Sequence, residues 1–114
     1  MDFSDSLKKN RDFGLVYKKG KSYANRYLVM YVLENQTNSN HLGISVSKKV
    51  GNSVVRHRIT RLVRESYRLN EQRFFHGLDI VVIARVTAKK AGYHDIESAL
   101  MHLAGLHHIT EKMG

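Results

Sequence analysis

Residues 41–69 read HLGISVSKKVGNSVVRHRITRLVRESYRL, and the hydrophobic period changes part-way along the run. In His41–Lys48 every second residue is apolar. Leu42, Ile44 and Val46 share one face, and Gly43, Ser45 and Ser47 share the other. That alternation marks a strand with one buried side. From Ser53 to Leu69 the spacing turns helical. Val55, Ile59, Leu62, Val63, Ser66 and Leu69 fall on one stripe, and Ser53 or Asn52 can act as N-cap. A strand feeding directly into an amphipathic helix sets the fold class.

The flanks extend the pattern. Upstream, Arg26–Leu33 (RYLVMYVL) is a continuous run of aromatic and branched residues and predicts a strand. The polar segment Asn35–Asn40 (NQTNSN) is a loop, and its shortness predicts an antiparallel hairpin between the two strands. Asp12–Lys19 predicts a short helix with Phe13, Val16 and Tyr17 on one face. Gly20 stops it, and Gly14 weakens it. Downstream, Leu78–Ala84 (LDIVVIA) is apolar enough for a central strand covered on both faces. Tyr93–His108 closes the chain as a helix with Ile96, Leu100, Leu103 and Leu106 inward. The expected order is α-β-β-α-β-α, an α/β (α+β) two-layer sandwich of helices on a small sheet, in one domain over residues 1–114.

Charge narrows the function. Nineteen Lys and Arg against ten Asp and Glu give a formal +9. A small chain this basic repels itself, and the usual compensation is a polyanionic partner. With Val55 at zero degrees, the apolar residues of 53–69 lie within about 80 degrees on either side. His57, Arg61, Arg64 and Arg68 lie between about 180 and 240 degrees, one stripe opposite the core, and Arg56 and Arg58 flank it. Five arginines share this segment with a single glutamate, Glu65. A face shaped only for solvation interleaves Glu with Lys or Arg. Guanidinium groups fork onto phosphate oxygens and stack on bases. Residues 8–26 add seven cations against Asp12, and Lys48 and Lys49 stand just before the helix. Gly51, after them, permits a backbone to approach closely. An anionic membrane fits less well, because the helix lacks bulky exposed anchors.

Other classes find little support. There is no cysteine for a disulfide or a thiolate metal site. The segment MDFSDSLKKNRDFG has no apolar core of a secretory signal, and no apolar run approaches membrane-spanning length; the expected compartment is the cytoplasm. The seven histidines are scattered, and His102, His107 and His108 lack ligand spacing. No carboxylate cluster suits catalytic magnesium, and no phosphate-binding loop or nucleophile elbow appears. Phe13, Tyr17 and Tyr31 could line a groove for unstacked bases or could be plain core; periodicity leaves both open. A structural RNA-binding protein would share the basic helix. A DNA-reading helix fits less well, since two strands precede it where a helix-turn-helix needs a helix.

The run Leu42–Arg68 resembles the most characteristic stretch of the bacterial ribonuclease P protein family, which carries G-x-S-V-S-K-K-x-G-x-A-V-x-R-N-R-x-K-R-x-x-R-E. Upstream, DFGLVYKKGKSYANRYLVMYV resembles the family's F-x-x-V-Y/F-K-x-G-x-S/R-x-A-N-R segment, and DIVVIAR resembles its third strand. The likeness covers about residues 8–88.

The resemblance implies a fold like the second domain of ribosomal protein S5, with a left-handed βαβ crossover against the usual rule. It implies that a large RNA subunit, with its Mg2+, is the catalyst and that the protein itself holds no catalytic group and no metal. The protein would assist endonucleolytic removal of the 5′ leader from precursor tRNA. Its partners would be that RNA and precursor tRNA, with neither membrane nor DNA. By this resemblance Lys48, Lys49, Asn52, Arg56, His57, Arg58, Arg61, Arg64 and Arg68 face the RNA subunit. Phe13, Tyr17, Tyr31, Lys18, Arg26, Ser45 and Ser47 face the leader. Two positions depart from the pattern: His57 replaces Asn, and Thr60 replaces Lys.

Overall fold

The computed structural model describes residues 1–111 and puts the apolar run Leu78–Ala84 in the middle of a five-stranded sheet. In chain order the elements are β1 (Ser4–Ser6), α1 (Asn10–Lys19), β2 (Lys21–Ala24), β3 (Leu28–Glu34), β4 (Asn40–Ser45), α2 (Ser53–Asn70), β5 (Leu78–Ala84) and α3 (Tyr93–Leu106). Single 3-10 turns at Glu71–Arg73 and Val86–Lys90 follow α2 and β5. The expected α-β-β-α-β-α order is present, with β1 and β2 added at the two edges. The sheet order is β1-β4-β5-β3-β2.

The expected hairpin between β3 and β4 is not there. β3 pairs antiparallel with β5, and β4 pairs parallel with β5. β5 is the most fully buried strand, with five of its seven residues buried, so it takes the central position, and β3 and β4 lie on its two sides. The loop joining them crosses the start of β5. Asn35 organises that loop, accepting hydrogen bonds from the Thr37 amide (2.9 Å) and hydroxyl (2.7 Å) and donating to Asp79 on β5 (2.9 Å). The short edge strands carry no hydrophobic signal. β1 is Ser-Asp-Ser, and β2 is exposed at every residue.

Alternation divides β5 between two cores. Leu78, Ile80, Val82 and Ala84 face α2 and α3, together with Leu28, Met30 and Leu42. Val81 faces α1, with Leu7 and Val16 buried beside it and Phe13, Tyr31, Leu33 and Ile83 partly buried around them. α2 and α3 thus form the helical layer on one face, while α1 crosses the other.

The buried stripe of α2 is turned slightly from expectation. Ile59, Val63, Ser66 and Tyr67 are buried, but Leu69 is 57% exposed. Tyr67 displaces it as the last anchor because its hydroxyl has buried partners. Ser4 Oγ lies 2.6 Å away, and Asn40 Nδ2 donates at 3.2 Å. Asn40 is fully buried and not a loop residue; it also donates to the Phe75 carbonyl (2.8 Å) and accepts from the Leu78 amide (2.9 Å). In α3, Leu106 is 38% exposed, and Ala99 and Ala104 are buried with Ile96, Leu100 and Leu103.

Candidate nucleic-acid interface

The helix α2 starts as its sequence requires. Asn52 is the N-cap, its Oδ1 accepting from the Val55 amide at 3.0 Å, and Ser53 is the first helical residue. Gly51 has an internal role. A Cβ there would meet Val55 Cγ1 at 2.8 Å, so the bare α-carbon lets α2 close onto the turn. Within that turn the Val50 amide donates to the Ser47 carbonyl (3.1 Å), burying Val50 and leaving Ser47, Lys48 and Lys49 exposed.

The outward stripe exists, but its cations differ in freedom. His57, Arg61 and Arg64 are exposed, and among the described residues none of them has an ion-pair partner. Arg68 is engaged: its Nε and NH2 groups fork onto Glu65 at 3.0 and 2.5 Å. That hydrogen bond holds the Glu65 carboxyl below its ordinary range and raises the Arg68 guanidinium. Arg58 leans out of the stripe and donates to main-chain oxygens of Lys89 (2.6 Å) and Ala91 (3.0 Å). Arg56 is half-buried, and its Nε is shielded from solvent without a hydrogen-bond partner. Thr60, standing where the family pattern has Lys, spends its hydroxyl on the Arg56 carbonyl (2.9 Å). A concavity of about 430 Å³ runs along this face beside Val54, His57, Arg61 and Leu62.

The three aromatics predicted together are together. The Phe13 and Tyr17 rings lie 6.4 Å apart on α1, and Tyr17 meets Tyr31 edge-on at 5.1 Å. Gly43 makes room for them: a Cβ there would fall 2.7 Å from the Phe13 ring. Tyr17 is 39% exposed, while Phe13 and Tyr31 are half-buried against the second core. Phe13 and Tyr31 therefore pack against the second core, and Tyr17 keeps an exposed ring beside them. Burial raises the Tyr17 hydroxyl, with the Ser45 hydroxyl opposing that shift and Tyr31 adding to it. Lys18 is exposed on α1, and Ser47 lies beyond the end of β4.

Arg26 sits apart from the aromatic triad, its guanidinium 5.2 Å from the centre of the Tyr27 ring. Asn25 fixes this corner. Its Oδ1 accepts from the Leu28 amide (3.1 Å), its Nδ2 donates to the Ala99 carbonyl (2.9 Å), and Arg85 donates to its main-chain oxygen (2.7 Å). The Thr87 hydroxyl donates to the Arg26 carbonyl. A concavity of about 420 Å³ opens here, and Lys89 and Lys90 border it. Sequence reasoning passed over those lysines. Their signal was an adjacent basic pair just past the third apolar strand.

β4 and β5 run parallel and end at Ser45 and Ala84. Beyond those ends lie the Lys48–Lys49 turn, the start of α2, the Val86–Lys90 turn and the start of α3. Crevices at the carboxyl ends of parallel strands are the usual binding side of such sheets. Among the described residues no three His, Asp or Glu side chains converge to hold a metal, and no helix is long and apolar enough to cross a membrane.

A family model described as Ribonuclease P matches residues 1–107. The ribonuclease P protein component of Lachnoclostridium phytofermentans is 65% identical over 106 residues, spanning 93% of this chain and 91% of that protein. That of Clostridioides difficile is 50% identical, spanning 90% and 93%. Among solved structures, the RNase P protein of Staphylococcus aureus superposes with a TM-score of 0.86 at 40% identity, covering 93% of this chain and 97% of that one. The RNase P protein of Thermotoga maritima superposes with a TM-score of 0.80 at 34% identity, covering 86% and 93%.

Proposed function

This chain belongs to the ribonuclease P protein family, and on that premise we propose that it binds the catalytic RNA subunit through α2 and the 5′ leader of precursor tRNA through the groove beside α1. Membership itself brings a role in tRNA processing as the RNA-binding protein part of an endoribonuclease. The observation that carries the finer reading is the row His57, Arg61 and Arg64, exposed opposite the buried face of α2 and, among the described residues, free of carboxylate partners. Such a row matches a phosphate backbone, whose contacts release counterions.

The face beside α1 suits the leader for a different reason. The exposed Tyr17 ring beside Lys18 and Ser45 offers stacking without base selection, which fits a strand of variable sequence. Ser47 and Arg26 extend the leader path at either side. Lys48, Lys49 and Asn52 belong to the turn that opens α2, on the RNA-subunit side. In this reading the Mg2+ ions and the bond-breaking step belong to the RNA. The protein positions substrate and offsets phosphate repulsion, in the cytoplasm where tRNA matures.

Reconstitution with a cognate RNA subunit at low magnesium tests the reading. Adding this protein should speed leader removal, and no acceleration would sink the proposal. Arg61→Ala and Arg64→Ala should each weaken RNA-subunit binding and reduce its salt slope by about 0.7–0.9. An unchanged slope would remove α2 from the interface. Co-purification with ribosomal subunits and not with one large RNA would favour a structural RNA-binding role instead.

A further inference from the structure

Arg58 shares a helix and a sequence motif with Arg61 and Arg64 but not their orientation. Its two terminal nitrogens donate to the carbonyl oxygens of Lys89 (2.6 Å) and Ala91 (3.0 Å). Those oxygens lie at the end of the 3-10 turn Val86–Lys90, just before α3 begins. The turn is also held by the Thr87 hydroxyl, which donates to the Arg26 carbonyl. Its own backbone bonds run from Ala88 to Arg85 (2.9 Å) and from Ala91 to Ala88 (3.1 Å). Ala88 and Ala91 are buried beneath it, whereas Val86, Thr87, Lys89 and Lys90 are exposed.

We propose that Arg58 is a positioning residue, pinning the Val86–Lys90 turn to α2 so that Lys89 and Lys90 join the cationic surface of His57, Arg61 and Arg64. The inference rests on the reading of α2 as the RNA-subunit face. The terminal carbonyls of a helical turn lack partners within it and favour a cation. Two oxygens separated along the chain need a planar fork to be satisfied together, and only guanidinium supplies one. A lysine ammonium carries the same charge but is a compact point on a flexible stem. The two bonds also occupy part of the five-donor guanidinium, leaving fewer N–H groups for phosphate than Arg61 or Arg64 offer.

The full chain and its cognate RNA subunit supply the test. Amide hydrogen exchange at Ala88 and Ala91 is followed in the free protein, and RNA affinity is measured across salt concentrations. Arg58→Ala and Arg58→Lys should both accelerate exchange at those amides about tenfold. Both should weaken RNA binding while keeping the parental salt slope, because a loosened turn must be ordered on binding while Lys89 and Lys90 still reach phosphate, and Arg61→Ala should lower the slope and leave the turn's exchange unchanged. Parental affinity in Arg58→Lys overturns the proposal, because charge alone would then suffice. Parental exchange at Ala88 and Ala91 in either variant overturns it, as does parental affinity in a variant whose turn has loosened. If Arg58→Ala does not fold, Arg58→Lys alone decides by the same readings. If Arg61→Ala and Arg64→Ala leave RNA affinity untouched, the reading of α2 fails, and that failure is separate because the exchange rates still judge the pin.

Discussion

Tyr67 and Glu71 join the first strand to the end of α2 through buried polar atoms. Glu71 is 3% exposed, and its carboxylate accepts the Asp2 amide at 2.6 Å and the Phe3 amide at 3.4 Å. Burial alone would raise this carboxyl, but hydrogen bonds from Ser4 and from the Asp2 and Phe3 amides hold it below its ordinary value of 4.5. A carboxyl depressed on folding contributes stability that is complete above that ordinary value and is lost as pH falls through the lower folded one. Acid titration of stability should therefore fall more steeply below pH 4.5 in the parent than in Glu71→Gln, and superimposable profiles would contradict the assignment. Tyr67→Phe removes the hydroxyl that Ser4 and Asn40 share, while Asn40 keeps the Phe75 carbonyl and Ser4 keeps Glu71. Urea denaturation should show a loss of about 0.5–1.5 kcal/mol.

At the scale of elements, α1 shows how local chemistry and packing divide the work. Its two glycines are not alike. At Gly14 an added Cβ meets nothing within 4 Å, while at Gly20 it would lie 2.6 Å from the Val16 oxygen and 2.9 Å from the Val32 oxygen. Gly20 is extended at φ −78°, so its value is the close passage from α1 into β2 and not a left-handed cap. Gly14→Ala should stabilise the chain by up to about 1 kcal/mol, the ordinary helix preference. Gly20→Ala should cost about 1–3 kcal/mol, since rigid backbone must move. Thermal melts of the two variants should shift in opposite directions. α2, β5 and the strand parity were legible because each carries a long hydrophobic period. β1 and β2 were not, because an edge strand of three or four residues is too short to show a hydrophobic period. The freedom of each arginine was equally hidden. Spacing places Arg58, Arg61 and Arg68 on the outer side of α2, but only the fold brings the Lys89 and Ala91 carbonyls to Arg58, and only rotamers give Arg68 to Glu65.

At the scale of the whole molecule, Ser45 and Ser47 stand in the chain between Gly43, which lies under the Phe13 ring, and the turn that opens α2. In the proposed function this layout has one body hold catalyst and substrate in fixed relation. Phe13→Ala combined with Tyr31→Ala should reduce affinity for precursor tRNA by about 1–3 kcal/mol per lost stacking contact and leave mature tRNA unaffected. Equal losses for both ligands would move leader contact elsewhere. Loss of folding in the double variant would show the rings to be core first, and Tyr17→Ala, at the more exposed ring, would then carry the comparison.

The central place of β5 also governs how the protein comes off the ribosome. β3 and β4 are made first, yet neither pairs with the other; both wait for residues 78–84. Until that strand emerges, a nascent chain can hold the β2–β3 ribbon and the helix α2, but not the sheet on which α2 rests. Assembly is thus a single late event spanning distant parts of the chain, the circumstance in which folding is slow and unpaired edges stay open longest. A chain stalled or cut before Leu78 would present two apolar strands, β3 and β4, each with the edge meant for β5 unpaired, and a cationic helix without its sheet.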